Sequence, residues 1–379
     1  MSVKASKLKK KNSRGKMDVT FLSFVLILLT IGLVMLFSAS YAYSLEYYDN
    51  SYKFIIRQSL FAGAGVLAML FTSRIDYHFW RKFAWIIFFA VLGMLLILLI
   101  LPPMVQGMDV KRWLVIGPIN FQPSELAKFA IVLLFSSLIA GNYKNIKNFS
   151  FIAFLLGILA VTCGLIALEP HLSATILVFS IGVVLLIVGG LPKKYIIGGL
   201  GIGVAGIAGL ILSGAVSYGS DRVKFWLDPW ADPSGKGFQT IQSLLAIGSG
   251  GILGRGIGQS RQKYLWVPEP HNDFIFSIVC EELGLIGAAV IILLFCLLVW
   301  RGFTIAMHAP DKFGSLLALG LTFQVGLQAM LNIWVVTNTI PNTGISLPFF
   351  SYGGTSLLIL LAEMGIVLSV SRGANIEKS

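Results

Sequence analysis

The sequence predicts an all-α integral membrane protein, a bundle of ten transmembrane helices with a long extracytoplasmic loop between the seventh and eighth. Three observations carry this. The 379 residues are 56% hydrophobic and only 12% charged, with a mean hydropathy of +0.84, too apolar for a soluble chain of this length. Apolar stretches of membrane-spanning length recur along the chain. The short loops between them carry their Lys and Arg on alternate sides, as expected of a polytopic protein.

Residues 1–17 hold seven cations and no acid, which reads as a basic cytoplasmic tail at an anionic inner leaflet. The first span follows, too long and without the cleavage site of a signal peptide. Spans are expected near 19–41, 54–72, 83–101, 126–141, 151–168, 172–190, 195–216, 273–300, 314–337 and 350–370. Arg74, Arg81 and Lys82, Lys144 and Lys147, Lys193 and Lys194, Arg301 and Lys312, and Arg372 then share a side with the tail. Both termini are therefore expected inside, with the membrane domain over 18–372 and a short cytoplasmic tail at 373–379. The net charge of +12 belongs to this asymmetry and does not point to nucleic acid. Cys163, Cys280 and Cys296 lie in apolar spans without paired spacing and read as free thiols.

Two outward segments break the charge pattern. The loop near 102–124 carries Lys111 and Arg112, and the large loop 217–272 carries Arg222, Lys224, Lys236, Arg255, Arg261 and Lys263. Cations there suit an anionic ligand, although long translocated loops largely escape the charge rule. Within the large loop, Phe238, Ile241, Leu244 and Leu245 share one helical face and Gln239, Gln242 and Ser243 the other, the pattern of a short interfacial helix. GSGGILGRGIG (248–258) lacks the context of a nucleotide loop. Its glycines allow a re-entrant path or a close wrap around a ligand, and equally plain flexibility.

Polar residues mark the candidate site. Asp273 opens the eighth span, backed by Phe274, Ile275 and Phe276, so burial can raise its pKa toward that of a general base. Asn272 or Asp273 can equally serve as a helix cap. Glu125 and Lys128, at i,i+3 after Pro123, share a face and read either as a functional cavity or as a structural ion pair. Glu281, at i+8 from Asp273, is expected near the same face as support; Glu363 has no evident partner in the sequence. Near the C-terminus, Ser351, Tyr352, Gly353, Gly354 and Thr355 offer hydroxyls and helix-start N–H groups to an anion or a sugar, or form an ordinary loop.

Four ordered motifs, QPSELAK (122–128), DPWADPSGKGFQTIQSLLAIGSGGILGRGIGQSRQK (228–263), PEPHNDFIFSIVCEELGLIG (268–287) and GISLPFFSYGGTS (344–356), resemble those of the SEDS family (shape, elongation, division, sporulation), on its FtsW and SpoVE branch. The resemblance runs from the first span to Arg372. It implies a peptidoglycan glycosyltransferase of the cytoplasmic membrane. Such an enzyme polymerises lipid II into β-1,4 glycan strands on the outer face, inverting the anomeric carbon, during division or sporulation. The implied partners are lipid II, the undecaprenyl-diphosphate-linked glycan, a class B penicillin-binding transpeptidase and other division proteins.

By the same resemblance Asp273 matches the family's essential aspartate, Arg112 and Trp113 the RW of its first outward loop, and Glu125 and Lys128 its polar pair. Lys111, Arg261 and Lys263 join Arg112 as cations for the diphosphate, and Gln122, Ser124, His271, Ser351, Gly353 and Gly354 are expected at the substrate. A Mg or Mn ion can assist at the diphosphate, with no dedicated cage visible. The chain departs from the family where Pro-Asp-Leu-Gly-Thr is replaced by Pro170-His171-Leu172-Ser173-Ala174, so no acidic role passes to position 171; Asn272 replaces a commoner Thr or Ser. A lipid II flippase and a non-catalytic division scaffold are the competing readings. The clustering of cations and motifs on one face argues against alternating access.

Overall fold

The computed structural model describes residues 15–102, 112–117, 119–195 and 223–374. Asp18 caps the first helix, α1 (Val19–Tyr48), by accepting from the Phe21 N–H at 2.8 Å. Next come α2 (Lys53–Arg74) and α3 (Tyr77–Ile100), the latter capped by Asp76. A short antiparallel hairpin, β1 (Leu114–Ile116) and β2 (Ile119–Phe121), then leads into α4 (Pro123–Gly141), which begins on a proline with no N–H to satisfy. It is followed by α5 (Phe149–Leu168), α6 (Leu172–Val188), α7 (Phe238–Gly250), α8 (Ile275–Met307), α9 (Lys312–Val336, capped by Asp311) and α10 (Gly354–Ser371).

Among the described residues eight helices are long and apolar enough to cross a membrane, and α6, at 17 residues, is a shorter apolar one. Each coincides with an expected span. All of the remaining expected span, 195–216, except Tyr195 lies outside the described residues, as do residues 1–14 of the basic tail, Lys111 and Arg222. α4, α9 and α10 are the most enclosed of the spanning helices, whereas α2, α3 and α8 turn much of their apolar surface outward, as lipid-facing helices do. α10 lies close on α2: a Cβ at Gly365 would come within 2.3 Å of the Met69 carbonyl.

The loops rich in Lys and Arg gather at one end of the bundle. There Arg301 pairs with Asp18 at 2.7 Å, the Gly15 N–H donates to the Arg372 carbonyl, Lys312 lies over Tyr143, and Tyr77 bonds Asp311. The three cysteines are free thiols.

α8 is not continuous. Gly284 has φ 66° and ψ −170°, and the glycine-rich stretch inserts beside this break. The Leu285 N–H donates to Gly251 O, and Arg255 and Gly256 donate to the carbonyls of Glu281 and Glu282. A Cβ on Gly284 would sit 2.2 Å from Gly254 N, so both positions need glycine for backbone contact as well as for conformation. From Ile275 to Gly284 the helix advances about 13 Å, so the loop runs along α8 for about that length. The glycines of 248–258 thus serve a close wrap, and what the loop wraps is its own helix.

Candidate active site

The turn before α8 is held from two sides. Asn332 of α9 donates to the Asp273 carbonyl at 2.7 Å and to the Ile345 carbonyl at 2.6 Å. Ser351 donates to the Asn272 carbonyl at 2.8 Å, and Tyr352 N–H to the His271 carbonyl. The Asp273 side chain is thereby directed away from the helix start: Phe274 is the N-cap and no side chain caps α8. The capping alternative is not realised.

Asp273 stands between two cavities. The first, about 350 Å³, is bordered by α2, α4, α9, α10, the hairpin and the 344–356 loop, and contains Arg57, Arg112, Glu125, Lys128 and Gln328. The second, about 390 Å³, lies under α7 and the 223–227 segment. Arg112, Asp273 and Gly344 line both. An ideal Cβ on Gly344, where φ is 68°, would come within 3.1 Å of Asp273 Oδ2, so this glycine keeps the carboxylate open.

In the first cavity Lys128, only 2% exposed, donates to Glu125 Oε2 at 3.0 Å and Gln328 Oε1 at 2.8 Å. Gln328 is fixed in turn by donating to Ser346. The i,i+3 pair thus faces a cavity, with its ammonium group held between two acceptors. Deeper still, Glu363 accepts from Gln324 at 2.7 Å. The hairpin register, Leu114 opposite Phe121, sets Trp113 beside Gln122 on this wall, and Thr355 of α10 anchors the hairpin through the Asn120 carbonyl.

Burial and the nearby Glu269 carboxylate push Asp273 up to about 6, while Arg112 opposes them. Burial raises Glu169 to about 8 against the pull of Arg112; neither of its carboxylate oxygens has a hydrogen-bond partner among the described residues. Arg112 donates to the carbonyl of Pro170, next to Glu169. Burial, then Arg112 and Lys128, lower His171 to about 3, so it is a neutral ring, with Nδ1 3.2 Å from Ser124 Oγ. The position where the family pattern is acidic is here an uncharged hydrogen-bonding wall.

Of the expected site residues, Asp273, Glu125, Lys128, Arg112, Trp113, Gln122, Ser351, Gly353 and Gly354 converge on the first cavity. Ser124 lies behind it, against His171. His271 is buried among Tyr43, Phe54 and Tyr352 rather than on the wall, and burial lowers it to about 4. The Gly353 N–H, expected to be free for a ligand, donates to Gln58 at 3.2 Å.

Three expectations are corrected. Glu281 does not share a face with Asp273, because Asp273 precedes the helix and an i+8 count does not apply to it. Its carboxylate instead accepts from Ser260 and from the N–H groups of Arg261 and Gln262. Lys263, 3% exposed, is consumed by Ser38, the Gly258 carbonyl and Glu282 at 3.0, 2.6 and 3.2 Å. Arg261 is exposed and lines neither cavity. Glu281, Glu282 and Lys263 form a clasp that fastens the loop to α8, and among the described residues the cations that do reach the cavities are Arg57, Arg112, Lys128 and Lys236.

Arg57, Glu269, Gln324 and Gln328, none of which stands out on its own in the sequence, also line the first cavity, and Glu169 lies within the field of Arg112. The spacing of Gln324, Gln328 and Asn332, four residues apart in an apolar span, was a legible signal of a polar stripe facing the bundle interior. Among the described residues no three His, Cys, Asp or Glu side chains converge as a metal cage, and Glu125 is already paired with Lys128.

A polytopic helical bundle with a largely enclosed carboxylate between two cation-bearing cavities is a membrane-embedded enzyme scaffold suited to an anionic substrate. The particular family follows from comparison: residues 19–376 match the cell cycle protein family of FtsW, RodA and SpoVE, and the chain belongs to it. Stage V sporulation protein E of Bacillus subtilis (strain 168) is 43% identical, over 94% of this chain and 97% of its own length. A probable peptidoglycan glycosyltransferase FtsW of Geobacter sp. (strain M18) is 38% identical over 94% and 98%. Among solved structures, a chain of a peptidoglycan synthase complex that coordinates polymerisation and crosslinking superposes with a TM-score of 0.78 at 29% identity, covering 96% of this chain and 99% of that one. Thermus thermophilus RodA, a rod shape determining protein, gives 0.70 at 27% identity, over 95% and 98%.

Proposed function

We propose that this chain is a peptidoglycan glycosyltransferase that polymerises lipid II, with Asp273 as general base. The observation that carries the reading is the place of Asp273, on the wall common to two cavities and next to Arg112, which is common to both as well. A group-transfer enzyme needs a base where acceptor and donor meet.

The acceptor sugar's hydroxyl gives its proton to the Asp273 carboxylate, and the oxygen's electron pair forms the bond to the donor's anomeric carbon. The carbon–oxygen bond to the diphosphate breaks with its pair going to the diphosphate. Arg112, Arg57 and Lys128 meet the charge that develops there, and the planar guanidinium groups suit phosphate oxygens. A single displacement of this kind inverts the anomeric carbon. A Mg or Mn ion at the diphosphate would be held mainly by the substrate's own oxygens.

The basic loops gathered at the end that holds Gly15 and Arg372 are the cytoplasmic end by the positive-inside rule, which puts Asp273 on the outer side with both termini inside. A class B penicillin-binding transpeptidase is the expected partner, in keeping with the synthase complex that this fold resembles.

The test is polymerisation of purified lipid II by the purified protein with its cognate transpeptidase, wild type against Asp273→Asn at equal folded yield. Strands from the wild type alone support the reading. Equal activity in both would move the base elsewhere, and inactivity in both would favour lipid II transport or a scaffold role.

A further inference from the structure

The two cavities differ in chemistry. The first holds most of the charge, with Arg57, Lys128, Glu125, Glu269 and Glu363 beside the shared Arg112, and it also carries Trp113, Tyr352 and the amides of Gln122 and Gln328. The second has one charged side chain of its own among the described residues, Lys236, and pairs the aromatic rings of Phe225 and Trp226 with the planar amides of Gln239 and Asn342 and the hydroxyl of Thr240. Aromatic faces accept the C–H faces of a pyranose ring, while amides and hydroxyls donate to and accept from its hydroxyl and acetamido groups.

The second cavity's walls are built to stay in place. Trp226 Nε1 donates to the Asn338 carbonyl at 2.9 Å, and Asn338 Nδ2 returns a bond to the Trp226 carbonyl at 3.2 Å. This reciprocal latch pins the aromatic segment to the end of α9. Asn342 Nδ2 donates to Gln239 Oε1 at 3.2 Å and Asn342 Oδ1 accepts from the Gly344 N–H at 3.1 Å, tying α7 to the glycine that faces Asp273. Gln239, read from the sequence as the polar face of an interfacial helix, is thus a wall of this cavity.

We propose that the cavity under α7 is a carbohydrate subsite that holds the hydroxyl-bearing acceptor sugar through Trp226 and Gln239, leaving the first cavity to the donor's diphosphate. The assignment rests on the reading of the chain as a glycosyltransferase. It gives Asp273 a hydroxyl on one side and an anomeric carbon on the other.

Two probes separate the subsites in the full-length protein in lipid nanodiscs. One is a β-1,4-linked N-acetylglucosamine tetrasaccharide, which has no phosphate; the other is farnesyl diphosphate, which has no sugar. Both should bind at once, each leaving the other's Kd within about twofold. Trp226→Leu and Gln239→Leu should each raise the tetrasaccharide Kd about tenfold, the equivalent of about 1.4 kcal/mol. The same variants should leave farnesyl diphosphate unchanged, and Arg57→Ala should do the reverse. Trp226→Phe, which keeps an aromatic face, should retain most of the sugar affinity, and its intact diphosphate binding reports the fold.

Competition between the probes, or tetrasaccharide binding indifferent to Trp226→Leu and Gln239→Leu, would overturn the assignment. Asp273→Asn should bind both probes normally. Turnover by that variant would sink the base assignment while leaving the binding map standing, so the two failures are distinguishable.

Discussion

Asp273→Asn should make the protein more stable while silencing it. The carboxyl titrates at about 6 in the fold against 3.8 without it. A displacement of about two units, at about 1.4 kcal/mol each, means that the ionised group opposes folding by at most about 3 kcal/mol. Both cavities admit water to the carboxylate, and that screening brings the expected figure to about 1–3 kcal/mol. Because the folded pKa is raised, the folded state binds the proton more tightly between pH 3.8 and 6. The stability of the protonated form is complete below 3.8 and is lost as the pH rises through 6.

An asparagine carries no charge to bury, so at pH 7.5 the variant should unfold at a higher temperature, with the difference closing toward pH 4. Turnover should meanwhile fall by about 10²–10⁴, the usual contribution of a positioned base. In the wild type the rate should drop about tenfold per unit below pH 6. Glu269→Gln removes a neighbour that raises Asp273 and should move this limb to lower pH. Thermal unfolding in nanodiscs at both pH values, beside a pH profile of lipid II polymerisation, measures all of this. A variant less stable than wild type at pH 7.5 would falsify the account, since Asp273 would then be a structural group and not one held at a cost for chemistry.

Two further outcomes follow from the clasp and the helix break. Lys263→Ala should destabilise the protein by about 3 kcal/mol, because it leaves the buried Glu282 carboxylate without its counter-charge and with only the donors Ser38, Gly258 and Ser260, and its loss of activity should track the loss of folded protein; a folded, stable variant with a raised KM would restore the diphosphate role. Gly284→Ala should be strongly destabilising, from its φ of 66° and the 2.2 Å approach to Gly254 N, and should expose the 251–263 amides to hydrogen exchange; unchanged protection there would refute the backbone contact.

The amino-acid pattern alone located the nine apolar helices seen among the described residues, because the hydrocarbon core demands apolar runs of a set length whatever packs against them. It also determined the identity of the base candidate and the Glu125–Lys128 pair, since ionisable groups in apolar surroundings are conspicuous in any sequence and local spacing puts the pair on one face. Which charges are available follows from packing. Arg112, Lys263 and Arg261 look alike in the sequence, yet one borders both cavities, one is buried in a clasp and one is exposed. That outcome depends on a chain reversal that brings the glycine-rich loop back against α8, a contact with no local signature beyond its glycines. The second cavity belongs to the same class. Trp226, Gln239 and Asn342 lie up to 116 residues apart, and only packing makes them neighbours.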